Sequence, residues 1–250
     1  MERRVSLVAA VLLTAILAAS SANARPFEYA CKSKYADLKF SWSAEAAAIP
    51  SLAHRLRAEL ALEKTKTIEG GKQEFAIRED SGSPGIGWES ITKITTSGET
   101  NRLLSLSRQY YAFTGGAHGN GATTGLLWDR ALAKEIKFAS LFSSPRGYAL
   151  ELHGPYCKAL DAERRKRRGG DGKLGNGISE FDTCPKLSDL ALIPSAARPG
   201  DPFASVHLIA PAYLAGPYAE GDYDIALPVR SQLIRLMKPQ YRNSFKAQRQ

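Results

Sequence analysis

The sequence predicts an α+β fold in which helices pack on antiparallel sheets and two halves associate closely. Strand-like stretches follow one another in pairs joined by turns, instead of alternating strictly with helices as in a doubly wound parallel sheet. Helix-like stretches repeat a large apolar residue every four positions, as in Leu52, Leu56 and Leu60 and again in Leu152, Tyr156 and Leu160. With 250 residues, 44% hydrophobic and 24% charged, the chain has a composition typical of a globular protein.

The first predicted strand is Ala36–Trp42, where apolar and polar residues alternate. Pro50 suits the start of a helix, and Leu52, Leu56 and Leu60 then share one face. We expect Gly70 and Gly71 to end or break this helix. Strands over residues 88–96 and 102–114 flank a turn at 97–101 and are predicted to form a hairpin.

The second part of the chain begins with another predicted hairpin, over residues 123–129 and 134–138. Residues 145–168 are predicted to be largely helical, with Pro155 either kinking the helix or marking its start. Strands near Leu190, Val206 and Ile225 follow, and a short helix over 231–237 closes the fold. We divide the chain into a signal segment (1–24), an N-terminal half (25–115), a C-terminal half (116–240) and a tail (241–250).

The N-terminus has the three regions of a secretory signal peptide. Charged residues at Glu2, Arg3 and Arg4 precede an almost wholly apolar run over residues 5–19. Small residues at Ala22 and Ala24 then form a cleavage site. The apolar run is shorter than the ~20 residues that span a bilayer. We therefore expect cleavage after Ala24, a periplasmic or secreted protein, and no transmembrane anchor in the mature chain.

Three cysteines, Cys31, Cys157 and Cys184, allow three pairings, and three free thiols are the alternative. Cys157 with Cys184 is the favoured pair because it brackets a glycine-rich, loop-like stretch. Closing a loop of roughly 28 residues stabilises a fold by about 3–4 kcal/mol in the chain-entropy model. Cys31 is then a free thiol or a site of intermolecular pairing.

A net charge of +9 favours an anionic partner, and five consecutive basic residues, numbers 164–168, concentrate that charge. One interpretation of this basic run is a surface patch that binds an anionic polymer. The other is a solvated helix end, where cations suit the helix dipole.

A glycine-rich segment, residues 114–120, follows the aromatic strand and contains His118. His118 is a weak candidate for a catalytic base, and a histidine in such a turn more often bonds to the backbone. No HExxH helix, CxxC pair or GxSxG elbow occurs, and no two of the four histidines are two to four residues apart. We therefore expect no metal and no cofactor.

The same region resembles a known family of exported domains of unknown function. Its motifs are Tyr110 to Gly119 (YYAFTGGAHG), residues 126–129 (LLWD) with 139–142 (ASLF), and residues 213–221 (YLAGPYAEG). The family occurs in the RsiV anti-sigma factor, whose extracellular part binds lysozyme, and beside the catalytic domain of the PdaC peptidoglycan deacetylase. The resemblance implies an extracytoplasmic α+β module in two packed halves. The resemblance does not imply sigma-factor regulation or deacetylation for this chain. We find in the sequence no segment like the sigma-binding part of RsiV or the deacetylase domain of PdaC.

The functional hypothesis is a periplasmic, non-enzymatic module that binds a cell-envelope ligand. The expected partner is peptidoglycan, another anionic envelope polymer or an envelope protein such as a lysozyme-like muramidase, and not nucleic acid. An envelope hydrolase using His118 and an accessory subunit of an envelope complex are the alternatives. The candidate ligand-binding residues are Tyr111, His118, Asn120, Tyr218 and Glu220, which come from the aromatic strand, the glycine-rich segment and the motif over residues 213–221.

Overall fold

A computed structural model describes residues 24–169 and 179–248, and these form an α+β fold, as predicted. The strands of the described part are β1 Phe27–Lys32, β2 Ala36–Trp42, β3 Trp88–Glu99, β4 Leu103–Phe113, β5 Asn120–Asp129, β6 Lys134–Ile136, β7 Ala191–Ser195, β8 Ser205–Ala210 and β9 Tyr223–Pro228. Its helices are α1 Ala44–Ala47, α2 Pro50–Asp80, α3 Pro145–Arg167, α4 Ser231–Leu236 and α5 Pro239–Arg242.

The first sheet has six strands in the order β1 to β6. Every neighbouring pair is antiparallel except β2 and β3, which run parallel because α2 carries the chain back between them. The hairpins β3–β4 and β5–β6 confirm the sequence interpretation. Strand β1 was not predicted. Its side chains alternate between half-buried and exposed, so its apolar signal is weak.

The prediction that Gly70 and Gly71 end or break the second helix is wrong, since α2 continues to Asp80. Both glycines serve close packing instead. A β-carbon at Gly71 would collide with the carbonyl oxygen of Tyr35, and one at Gly70 would collide with the ring of Trp88. The helix therefore accepts two poor helix formers so that its backbone can approach the first sheet closely.

The second sheet is an antiparallel meander in the order β7-β8-β9. Helix α3 packs against it through Leu152, Tyr156 and Leu160, the four-residue repeat visible in the sequence. Pro155 lies inside α3 and does not start it. The disulfide between Cys157 and Cys184 is present, as predicted.

Alternate residues of β4 and β5 face two hydrophobic cores. Leu104, Leu106 and Leu126 pack under α2, whereas Leu103 and Leu127 join the core of the second sheet and α3. The first sheet is thus a shared wall between the two cores.

The glycine-rich segment connects β4 to β5 inside the six-stranded sheet, so the boundary we place at residue 115 falls within that sheet. That division of the chain stays a prediction. Part of the expected tail is packed: Phe245 is buried against Phe203.

No helix in the two described segments is long and apolar enough to cross a bilayer. Residues 1–23, nearly all of the predicted signal peptide, lie outside the described residues.

Candidate functional site: an aromatic groove beside the glycine-rich loop

The glycine-rich loop is built on three glycines with different tasks. Gly115 and Gly116 have φ values of 97° and 102°, a region that side-chain-bearing residues avoid. Gly119 is buried directly beneath Tyr111, and a β-carbon there would collide with the Tyr111 ring. The loop therefore turns back sharply and seats the start of β5 against the aromatic end of β4.

His118 is exposed, and its contacts are with the backbone and with one aromatic ring. Its Nδ1 donates to the carbonyl oxygen of Gly119 at 3.0 Å, and its ring stacks on Tyr218 with centroids 4.1 Å apart and planes 22° apart. The Tyr218 hydroxyl donates to the same Gly119 oxygen at 2.9 Å. Within residues 24–169 and 179–248, no carboxylate is hydrogen-bonded to this imidazole.

Tyr213 extends the aromatic surface, with its ring centroid 5.7 Å from that of Tyr218. It is 51% exposed and Tyr218 is 38% exposed. Tyr213 also has a φ of 71°, and its backbone N–H is bonded to the carbonyl of Gly216 at 2.9 Å. A left-handed backbone at a large, exposed aromatic residue is a costly arrangement that clusters at binding sites.

Tyr218 lines a groove of about 450 Å³, which we call the aromatic groove. It runs between the β4–β5 end of the first sheet and the loop before β9. Its lining comprises Gln109, Tyr110, Tyr111, Gly121, Ala122, Thr123, Ala212, Tyr218, Ala219, Glu220, Gly221 and Asp222. The floor from β5 is made of small residues, so the aromatic and polar walls remain accessible.

Asp222 fixes the relative position of the two walls. One carboxylate oxygen accepts from the backbone N–H of Ala212 at 3.1 Å, and the other accepts from the Thr123 hydroxyl at 3.3 Å. The loop before β9 is thereby tied both to itself and to β5.

Glu220 is held by cations from the end of α3. Arg168 donates to both carboxylate oxygens, at 2.8 and 3.1 Å, and the Tyr223 hydroxyl donates to one of them. Burial alone would raise the pKa of Glu220, but the bonds from Arg168 and Tyr223 outweigh it and lower the pKa below its usual value. For Tyr223, burial and the bond to Glu220 raise the pKa to about 12. Glu220 is therefore an ionised carboxylate committed to the loop's architecture.

Three of the five consecutive basic residues, Arg164, Arg167 and Arg168, bind groups of the protein itself. Arg164 is fully buried and donates to the carbonyl oxygens of Ala215 and Thr183, at 3.0 and 2.9 Å. Arg167 binds the carbonyl oxygens of Glu220 and Asp222 and lies 4.1 Å from the centre of the Tyr223 ring. The run is thus largely a clamp on the loop that carries Tyr218, not a free cationic patch.

A second concavity lies on the face that carries α2, and we call it the helix groove. It measures about 460 Å³ and shares Tyr110 and Ala122 with the aromatic groove. Glu59, Glu63, Lys66 and Arg108 supply its charges, and Arg108 is paired with Glu59. Burial and the charge of Glu63 raise the pKa of Tyr110.

Four of the five residues that the sequence analysis selected lie together. Tyr111, Tyr218 and Glu220 line the aromatic groove, and His118 stacks on Tyr218 behind it. Asn120 is exposed at the first position of β5 and does not line the groove. Their roles in binding stay a prediction.

Sequence reasoning missed several residues of this region. Gln109, Thr123 and Asp222 lie outside the sequence motifs, and only the packing of β5 against a loop 99 residues away brings them together. Tyr213 begins the motif over residues 213–221, but the sequence analysis did not select it. It also missed the surface pair His207 and Asp224, whose Nδ1 and carboxylate oxygen are 2.8 Å apart on β8 and β9.

Comparison with known proteins agrees with this architecture. Residues 21–121 match the family described as Deacetylase PdaC. The fold is similar to that of a DUF3298 family protein from Pseudomonas aeruginosa PAO1, at 17% identity and a TM-score of 0.53, over 90% of this chain and 98% of that one. It is also similar to a DUF3298 family member from Bacteroides fragilis NCTC 9343, at 16% identity and a TM-score of 0.56, over 86% and 93%.

These likenesses confirm the predicted family resemblance, with the family match falling on the first half of the chain and the shared fold extending over most of it. At such identities the solved structures show the fold alone. The comparison with curated proteins gives no match.

Proposed function

We propose that this chain, with its PdaC-like first part, is a non-enzymatic module that binds envelope glycan in the aromatic groove. The observation that carries the proposal is the aromatic wall of a groove with a small-residue floor, where Tyr218 lines the groove, stacks on His118 and lies beside Tyr213. Sugar rings present apolar C–H faces that stack on aromatic rings, and their hydroxyls bond to amide, hydroxyl and carboxylate groups.

The presence of two neighbouring grooves favours a polymer over a single sugar. Tyr110 and Ala122 line both the aromatic groove and the helix groove, so a long ligand that passes over the β4–β5 end of the first sheet can contact both. Gln109, Thr123 and Asp222 supply polar contacts along the first groove, and Lys66 supplies a cation in the second. Peptidoglycan has the extended chain and the anionic groups that suit such a path.

The surroundings of His118 do not support the hydrolase alternative. A general base needs a partner that orients it, and the only ring-nitrogen bond of His118 in the described structure goes to a backbone carbonyl. In our proposal His118 supports Tyr218 by stacking.

A sedimentation assay with purified sacculi tests the proposal. The protein should co-sediment with intact sacculi and with glycan strands stripped of their stem peptides by an amidase. Serum albumin of equal concentration gives the background. Retention no greater than that of albumin on either material would contradict glycan binding.

One observation favours a peptide ligand as a second candidate. β6 pairs only with residues Leu127–Asp129 of β5, so among the described residues no strand covers the outer edge of β5 before Leu127. An extended peptide can add to such an edge through main-chain hydrogen bonds. Binding to intact sacculi that is lost on the peptide-free glycan would favour this candidate.

We also propose that the mature protein begins after Ala24 and works in the periplasm or outside the cell. The disulfide between Cys157 and Cys184 supports this location, because such bonds persist in oxidising compartments. Mass measurement of the protein recovered from the periplasmic fraction would test it, and a mass that includes residues 1–24 would contradict it.

A further inference from the structure

The disulfide of the C-terminal half has a histidine beside both of its sulfurs. His153 and Cys157 lie four residues apart on α3, and the His153 Nε2 is 3.6 Å from the Cys157 Sγ. The same nitrogen is 3.8 Å from the Cys184 Sγ. All three side chains are partly exposed, so solutes can reach them.

The chain around Cys184 is fixed to α3 by contacts that do not depend on the disulfide. Arg164 donates to the carbonyl oxygens of Asp182 and Thr183, at 3.3 and 2.9 Å, just before the cysteine. After it, the carbonyl of Pro185 accepts from the His153 Nε2 at 3.2 Å, and Leu187 is buried in the core. We therefore expect Cys184 to stay beside Cys157 and His153 after the disulfide is reduced.

These distances match the ligand shell of a tetrahedral metal. Zn–S and Zn–N bonds of about 2.3 and 2.0 Å place neighbouring ligand atoms about 3.5–3.8 Å apart. The nitrogen-to-sulfur distances already have these values. The Cα atoms of the cysteines are 5.5 Å apart, which leaves room for the two thiolates to separate by side-chain rotation.

We propose that reduction of the Cys157–Cys184 disulfide creates a metal site for a thiophilic cation such as Zn²⁺, with His153 as the third ligand. A dithiol reductant transfers two electrons and two protons to the disulfide, giving two thiols and the oxidised, disulfide form of the reductant. The metal then displaces the two thiol protons and takes the lone pair of the His153 Nε2, whose proton moves to Nδ1 as the bond to Pro185 is given up. Water occupies the fourth position.

The three proposed ligands are not among the residues that line the aromatic groove. The metal titration described below therefore tests this proposal without depending on the outcome of the glycan-binding assay. Two Cys and one His with an open fourth position make a set that favours Zn²⁺ over Mg²⁺ or Ca²⁺, because soft thiolates bind borderline and soft metals.

Cobalt titration of the reduced protein tests the proposal. The Cys31→Ser variant, which removes the remaining free thiol, is reduced with a phosphine, freed of the phosphine without oxygen, and titrated with Co²⁺. We expect a thiolate-to-cobalt charge-transfer band together with the visible bands of tetrahedral Co²⁺. Neither should form with the oxidised protein, and Zn²⁺ should displace both.

Three variants locate the site. In the Cys31→Ser background, Cys157→Ser and Cys184→Ser should each abolish the tetrahedral spectrum. His153→Ala, which leaves both cysteines in place, should weaken Co²⁺ binding by at least the about 10–100-fold that loss of a ligand's supporting partner costs. Circular dichroism checks the fold of each reduced protein. Equal Co²⁺ binding by oxidised and reduced protein, an unchanged affinity in His153→Ala, or unfolding on reduction would each overturn the proposal.

Discussion

At the scale of single residues, Tyr218 connects the motif over residues 213–221 to the glycine-rich loop. Its ring stacks on His118 while its hydroxyl bonds to the backbone of Gly119. The sequence could select both residues because each lies in a motif. It could not show that His118 and Tyr218 are in contact, because they are 100 positions apart in the chain. Only the packing of the loop before β9 against β5 brings them together.

Replacing Tyr218 with Ala should weaken binding to sacculi about tenfold, since an aromatic contact contributes up to about 1.5 kcal/mol beyond the area it buries. Tyr218→Phe keeps the ring and should stay within about threefold of the native protein. The sedimentation assay measures both. Leu150→Ala, at a residue of α3 that is 82% exposed, is the matched control. Equal binding by Tyr218→Ala and Leu150→Ala would remove Tyr218 from the site.

The pair His207 and Asp224 should make stability depend on pH. The hydrogen bond with Asp224 raises the pKa of His207, although partial burial acts in the opposite direction. The protonated pair therefore stabilises the fold fully below the unfolded pKa of about 6.5, and this contribution is lost as the pH rises through the higher folded value.

His207→Gln should consequently lower the free energy of unfolding at pH 5.5 and have little effect at pH 8.5. The difference should stay below about 1 kcal/mol, because the pair is partly solvated. Urea denaturation at the two pH values measures it. A loss that grows toward pH 8.5 would contradict the assigned ion pair.

At the scale of elements, the end of α3 shows how tertiary structure reassigns a sequence signal. Five adjacent basic residues predict either a cationic patch or a solvated helix end, yet Arg164 points into the core and binds the carbonyls of two separate segments. Sequence gives no sign of this, since the partner oxygens belong to the backbone of residues 182, 183 and 215.

Arg164→Met should lower the free energy of unfolding by about 3 kcal/mol or more, because it leaves buried carbonyl groups without donors. Arg165→Met, at the exposed neighbour, should change it by less than about 0.5 kcal/mol. Urea denaturation compares the two variants. If Arg164→Met lowers the free energy of unfolding no more than Arg165→Met does, the bonds of Arg164 make no measurable contribution to stability.

At the scale of the whole molecule, two cores share the six-stranded sheet as a wall, and β5 meets β7 closely. A β-carbon at Gly125 would lie 3.0 Å from the Leu192 carbonyl oxygen and 3.1 Å from the Ile193 side chain. The missing side chain lets the two sheets approach, which in turn places the β9 loop beside β5 and forms the aromatic groove.

Gly125→Val should therefore push the sheets apart and destabilise the protein by about 1–3 kcal/mol. Thr124→Val, an exposed and nearly isosteric change on the same strand, is the control and should have little effect. Thermal unfolding followed by circular dichroism and by the fluorescence of Trp42, Trp88 and Trp128 measures both variants. No difference between them would mean that the sheets do not depend on close contact at Gly125.

The sequence by itself determined the α+β class, most strands and helices, the disulfide and the family resemblance. These follow from local periodicity, from cysteine position and from motifs that stay contiguous in the chain. Only the tertiary structure decided that Gly70 and Gly71 serve packing, that the basic run is mostly a clamp, and that Tyr111, His118, Tyr218 and Glu220 meet at one groove. The physical reason is that each of these depends on which distant segment lies against a residue, and local patterns carry no information about that contact.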